Sequence, residues 1–230
     1  ANVLSLGDIT IDADDNVTIT TGAGGATSVG DILATTISGA TVALGTIGAG
    51  SAVMGDITHT GAGTFTLTTG AALSVGAVTG GAGSTTVVLS DSTTIGTVLT
   101  GGAGVDTFTG TGGADIFHFQ SGDTMTGNSG ADAFNAAAAV TSATITGGTG
   151  ADTVTFANGT NTATVDDDSV SVTGGTGVDT LTFANTSALA STTIDGGTGS
   201  DSIAAVGAYA NAATFTDMDS LTLTAGTTGA

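Results

Sequence analysis

The chain has 230 residues, with 40 glycines, 20 acidic residues that are all aspartate, and no lysine, arginine, proline or cysteine. A net charge of −20 without one basic side chain excludes phosphate neutralisation, so no nucleic-acid partner is expected, and attraction to an anionic membrane surface is disfavoured. There is no disulfide or thiol chemistry, and no run approaches the ~18 apolar residues a spanning helix needs, so no membrane insertion is expected.

Acidic, glycine-rich chains are often disordered, but 40% of these residues are hydrophobic and they alternate with threonine in short runs. The first half carries a recurring pentapeptide: "LGDIT" at Leu6, "VGDIL" at Val29, "MGDIT" at Met54, "VGAVT" at Val75 and "IGTVL" at Ile95. Its copies are spaced by 23, 25, 21 and 20 residues. Asp8, Asp31 and Asp56 within it are read as turn caps, with ions bound in a looser column as the alternative. Strands are expected at 64–69 and 84–90, where β-branched and apolar residues alternate.

From Gly101 a different unit takes over. Gly-Gly-x-Gly-x-Asp-x-apolar-x fits in full at 101, 147, 174 and 196, with near-copies at 110 and 127. Composition alone would give roughly 0.04 full matches, so low complexity does not explain four. "TGGAGSTTVV" at 79–88 is a degenerate forerunner, with Thr85 where the aspartate belongs. Further strands are expected at 152–156, 170–174, 179–183 and 220–224, while the alanine run 135–140 is too short for a meaningful helix.

Short strands at a fixed period, without helices, predict an all-β fold: a parallel β-solenoid or β-roll of about ten coils of roughly 20–25 residues. An antiparallel sandwich is the competing architecture. Residues 1–100 form the degenerate alanine/threonine/glycine-rich part and 101–230 the motif-bearing part, in one continuous array without a linker. Phe108, Phe117, Phe134, Val154, Leu181 and Ile203, each two residues after a motif aspartate, are expected to face the core. The terminal stretches read as those of a segment cut from something longer.

The motif spacing suggests a job for the aspartates. Glycines allow the backbone to turn sharply and approach closely, so that turn carbonyls and one carboxylate share a small space. Hard oxygen ligands of that kind suit Ca²⁺; Mg²⁺ demands stricter geometry, and zinc or copper would want His or Cys. Coils one strand spacing apart would align Asp115, Asp132, Asp152, Asp179 and Asp201 in one column, with Asp106 and Asp123 beginning a second. Unit charges about 4.8 Å apart repel by about 0.9 kcal/mol in water and about 3.5 kcal/mol at an effective dielectric of 20, so divalent ions between rungs would turn repulsion into cohesion.

These residues carry a resemblance. The nonapeptide resembles that of the repeats-in-toxin family, and its copies cover about 101–204. The resemblance implies a right-handed, calcium-loaded β-roll in a protein exported by a type I secretion system. It implies calcium carboxylates at Asp106, Asp115, Asp132, Asp152, Asp179 and Asp201, and with less support at Asp123, joined by turn carbonyls around Gly101 and Gly104 and their equivalents Gly113, Gly130, Gly147, Gly150, Gly174, Gly177, Gly196 and Gly199. Only 101–118 is in tandem, and the lysine-free, strand-diluted remainder looks most like calcium-dependent bacterial surface-layer proteins.

The expected role is therefore a structural, non-enzymatic one at the extracellular bacterial surface, with copies of the same chain as partners. A cell-surface polysaccharide anchor would lie outside this segment. The alternatives are the stalk or calcium-folding module of an adhesin or toxin, and the C-terminal module of a secreted hydrolase. No nucleophile elbow or triad pattern is present, and the isolated His59 and His118 read as surface strand residues. "VDDDSV" (Asp166–Asp168) reads as a solvated acidic loop, with a separate calcium loop as the alternative, and the threonine rows read as exposed strand faces rather than an ice-binding surface.

Overall fold

A computed structural model describes residues 4–12, 16–19, 27–35, 40–44, 52–61, 65–69, 73–89, 96–167, 169–184, 192–207 and 213–225. Among these residues every regular element is a strand, and every strand pairing is parallel. The chain is a parallel β-solenoid, as the repeat predicts. It divides into two compact units, Ala1–Phe117 and His118–Ala230.

In the first unit each early coil contributes three strands. Leu4–Leu6, Thr27–Val29, Ala52–Met54 and Leu73–Ser74 stack as one sheet. Ile9–Ile11, Ile32–Ala34, Ile57–His59, Val78–Thr79 and Val98–Thr100 stack in a second. Asn16–Ile19, Ala40–Leu44, Phe65–Thr69, Thr85–Val88 and Thr107–Thr109 make the third. Ile9 pairs with Ile32, Ile32 with Ile57, Ile57 with Val78 and Val78 with Leu99, steps of 23, 25, 21 and 21 residues. Those steps match the pentapeptide period because "GD" marks the corner between the first two strands of a coil.

The second unit has two strands per coil. Ala133–Ala136, Asp152–Thr155, Val170–Thr173, Thr193–Asp195 and Thr214–Thr216 form one sheet. Thr124–Ser129, Thr144–Thr149, Thr162–Asp166, Thr180–Phe183, Ser202–Gly207 and Ser220–Ala225 form the other. Thr124 pairs with Thr144, Thr144 with Thr164, Thr162 with Thr180, Thr180 with Ser202 and Ser202 with Ser220, steps of 20, 20, 18, 22 and 18 residues. The coil is thus shorter than in the first unit, because one strand and one corner have gone.

Alternation places one face of each strand inward. Ile32, Ile57, Val78 and Leu99 form a buried ladder in the first unit; Phe134, Val154, Val172 and Ile194 form one in the second. All six residues expected in the core, Phe108, Phe117, Phe134, Val154, Leu181 and Ile203, are buried. Phe119 and Phe156 meet edge to face, with ring centroids 6.1 Å apart, which fills the volume that the many alanines and glycines leave. At about 1.5–3 kcal/mol for each large apolar side chain, these ladders are the main cohesive term, since the chain has no charge pairs to add.

Candidate metal centre

The motif aspartates are core residues of the corners. Asp106, Asp115, Asp123, Asp132, Asp152, Asp179 and Asp201 are each at most 2% exposed. A buried carboxylate must be compensated by hydrogen bonds or a cation, and each half of the carboxylate answers this differently.

One oxygen ties neighbouring coils together. Asp106 Oδ1 accepts the Thr85 N–H at 2.6 Å, and Asp115 Oδ1 accepts the Thr97 N–H at 2.6 Å. In the second unit Asp152 Oδ1 accepts from Asp132 N–H at 2.7 Å, Asp179 Oδ1 from Asn161 N–H at 2.9 Å, and Asp201 Oδ1 from Asp179 N–H at 2.9 Å. These five carboxylates thus cap strand heads of the preceding coil. Asp8, Asp31 and Asp56, which are exposed, do the reverse, accepting from Asp31, Asp56 and Ala77 N–H of the following coil. These bonds join neighbouring coils 23, 25 and 21 residues apart rather than capping the aspartate's own turn.

The other oxygen separates the two units. Asp106 Oδ2 accepts the Gly102 N–H at 2.7 Å, and Asp115 Oδ2 accepts the Thr111 N–H at 2.6 Å, so these carboxylates close their own loops. Asp152, Asp179 and Asp201 instead leave Oδ2 buried with no hydrogen-bond partner. The loop geometry explains the difference. In the second unit the second and fourth motif positions have positive φ, as at Gly175 (92°) and Gly177 (129°), and Asn128 takes the same conformation (75°) where the near-copy lacks glycine. Asparagine tolerates the left-handed region better than most residues. Gly101, Gly104 and Gly113 of the first unit are not among the positive-φ residues, and there the chain folds back onto its carboxylate.

The unpartnered oxygens face the first motif glycine. A Cβ on Gly174 would meet Gly196 O and, at 2.7 Å, Asp179 Oδ2; one on Gly196 would meet Asp217 O and, at 3.1 Å, Asp201 Oδ2. At Gly127 the neighbours are Asp132 Oδ2 and Gly147 O, the latter at 2.5 Å. A carboxylate oxygen and a carbonyl of the next coil therefore bound one glycine-only cleft. These are hard oxygen donors without a proton to offer, which fits a Ca²⁺-type cation. The fourth-position carbonyls lie elsewhere: Gly130 O is against Gly150, and Gly177 O is against Gly199. Among the described residues no three acidic or histidine side chains converge, so a cation here would depend on backbone oxygen.

Several expectations are corrected. The aspartates of the second unit do not form one column. Asp132 and Asp152 head strands of one sheet, whereas Asp179 and Asp201 head strands of the other. The cause is the 27-residue gap between the motifs at 147 and 174, one and a half of the 18-residue coils found there, which moves the motif to the opposite edge. Asp123 is not a member of either row. Its Oδ2 accepts the Gln120 N–H at 2.7 Å, and register puts it level with Leu181, two residues past Asp179.

His59 is buried at 1% exposure rather than on a strand surface, its Nδ1 lying 3.1 Å from Thr85 Oγ1; desolvation lowers its pKa, opposed by the charge of Asp106. His118 is half-buried. Within "VDDDSV", Asp166 is exposed as expected, but Asp167 is 3% exposed, and Asp168 lies outside the described residues.

Two members of the rows lie outside any copy of the nonapeptide. Asn161 stands where an aspartate would: its Oδ1 accepts the Val140 N–H at 3.0 Å, and its Nδ2 donates to Asp179 Oδ1 at 2.8 Å. Asp219 Oδ2 accepts the Asp201 N–H at 3.0 Å. The signal was present in both, since "GTNTATV" and "DSLTL" keep the polar-x-apolar-x-apolar tail after the glycines have gone.

Burial, then proximity of the Asp201 charge, raises the pKa of Asp179 despite its bonds to Asn161; burial likewise raises that of Asp115 despite its bonds to Thr111 and Thr97. Both corners thus favour neutralisation of their carboxylate. No family model, curated protein or solved structure matches the chain.

Proposed function

We propose that this chain is a calcium-stabilised structural solenoid of the extracellular bacterial surface, a segment of a surface layer or similar assembly made from copies of itself. The observation that carries the reading is the set of buried, unpartnered Oδ2 atoms of Asp152, Asp179 and Asp201, each facing a cleft that only glycine leaves open. A bound Ca²⁺ would neutralise the buried carboxylates and link consecutive coils. Asp106 and Asp115, whose oxygens hold amide donors, serve as corner staples.

A structural role is favoured because the aspartates spend their chemistry on neighbouring coils. Their oxygens are buried between rungs, where they hold the solenoid together and face no substrate. A chain of net charge −20 without a basic residue repels other copies of itself unless divalent ions screen or bridge it, which makes assembly calcium-dependent as well.

The test is imaging of the full chain by electron microscopy with millimolar calcium and with chelator. Ordered sheets or arrays in calcium, dissolving on chelation, are expected. Dispersed monomers under both conditions would refute the assembly role and favour a stalk or folding module.

A further inference from the structure

The clefts beside the first motif glycines are not all alike. At Gly127, Gly174 and Gly196 the following coil supplies a backbone carbonyl, that of Gly147, Gly196 and Asp217 respectively. At Gly147 the following coil supplies a carboxylate instead: a Cβ there would meet Asp167 Oδ2 and, at 2.6 Å, Asp152 Oδ2. Asp167 belongs to no nonapeptide; it comes from the "VDDDSV" loop that follows the strand Thr162–Asp166.

The loop is held in this position by its own bonds. Asp167 Oδ1 accepts the Ser169 N–H at 2.8 Å, and Ser169 O accepts the Asp152 N–H at 3.2 Å, so the loop is tied to the head of the very strand whose aspartate it faces. The two side chains are 2% and 3% exposed, and Asp152 Oδ2 has no hydrogen-bond partner. Two carboxylate oxygens converging on one buried point without a positive side chain in the whole sequence call for an external cation.

We propose that Asp152 and Asp167, facing each other across Gly147, form a two-carboxylate site for a divalent cation of the Ca²⁺ class, distinct from the one-carboxylate clefts and the first to fill. This rests on reading the glycine clefts as cation sites. Affinity in such oxygen cages rises with the number of charged ligands. The pair therefore binds at least about tenfold more tightly than the clefts where a carbonyl takes the second place. The loop acts as a local reinforcement, converting one coil corner into the high-affinity step of loading.

Calorimetric titration of the full chain with calcium tests this, comparing wild type, Asp167→Asn and Asp179→Asn. Asparagine keeps the oxygen that caps Ser169 and removes only charge. Asp167→Asn should weaken or delete the tightest binding step by at least about tenfold and spare the others, while Asp179→Asn should spare the tightest step. An unchanged tightest step in Asp167→Asn overturns the proposal, and uptake by the other clefts would then leave the general calcium reading standing. No uptake by wild type would sink both. Circular dichroism in chelator supplies the folding control: Asp167→Asn should keep the wild-type strand spectrum, and its collapse there would make Asp167 a structural turn residue and overturn the site.

Discussion

Saturating calcium should raise the melting temperature of the second unit by about 15 °C or more over the chelated protein. An ion at a hundred times its dissociation constant adds about 2.7 kcal/mol, and three clefts at Asp152, Asp179 and Asp201 would add about 8 kcal/mol. For a unit of this size each kcal/mol moves the midpoint by about 2–8 °C. Proton and calcium should act alike. The folded pKa values of Asp179 and Asp115 are raised, so the stability these groups contribute is complete below the unfolded value of 3.8 and is lost as pH rises through the folded value. The chelated protein should therefore gain stability from these two groups as it is acidified from neutrality toward that value.

Asp179→Asn sharpens the test because its sign should reverse. In chelator it removes repulsion with Asp201 and stabilises; in calcium it removes a ligand charge and destabilises. Differential scanning calorimetry at both calcium levels measures it. Equal shifts of one sign in both conditions would mean that the carboxylate works only as a hydrogen-bond acceptor.

The second large effect is steric. Gly177→Ala should cost about 2–5 kcal/mol, with or without calcium. Gly177 has φ of 129°, and an added Cβ would meet Gly159 O and lie 2.5 Å from its carbonyl carbon. Both partners are backbone and cannot rotate aside, so the coils must part. Gly7, with nothing within 4 Å of its Cβ position, provides the control, and Gly7→Ala should change stability by less than about 0.5 kcal/mol. Chemical denaturation of both variants checks the contrast, and equal effects would remove the case for glycine-only corners.

The solenoid was legible because two local signals agree. Alternating β-branched residues set the strands, and glycine corners recur at the coil period, so Phe134, Val154, Leu181 and Ile203 could be placed inside from their distance to the aspartate alone. What the motif could not convey was the edge on which each copy sits. That depends on spacing modulo half a coil, and the 27 residues from Gly147 to Gly174 divide sensibly only once the coil is known to be 18 there.

Nor did identical motifs guarantee identical corners. "GGAGVD" and "GGTGVD" differ by one residue, yet Asp106 closes its own loop onto Gly102 N–H while Asp179 leaves Oδ2 open. Backbone handedness at the corner decides between them, as Gly175 and Gly177 show with their positive φ. For Asp167 the acidic run marked a candidate loop but not its neighbour: Asp167 lies beside Gly147, 20 residues away in the adjacent coil, and no local pattern announces that.

The most direct measurement is an anomalous difference map from crystals grown in calcium. The account predicts peaks beside Oδ2 of Asp152, Asp179 and Asp201, and none between Asp106 and Gly102. An intact solenoid with no peak at any of the three carboxylates would contradict it.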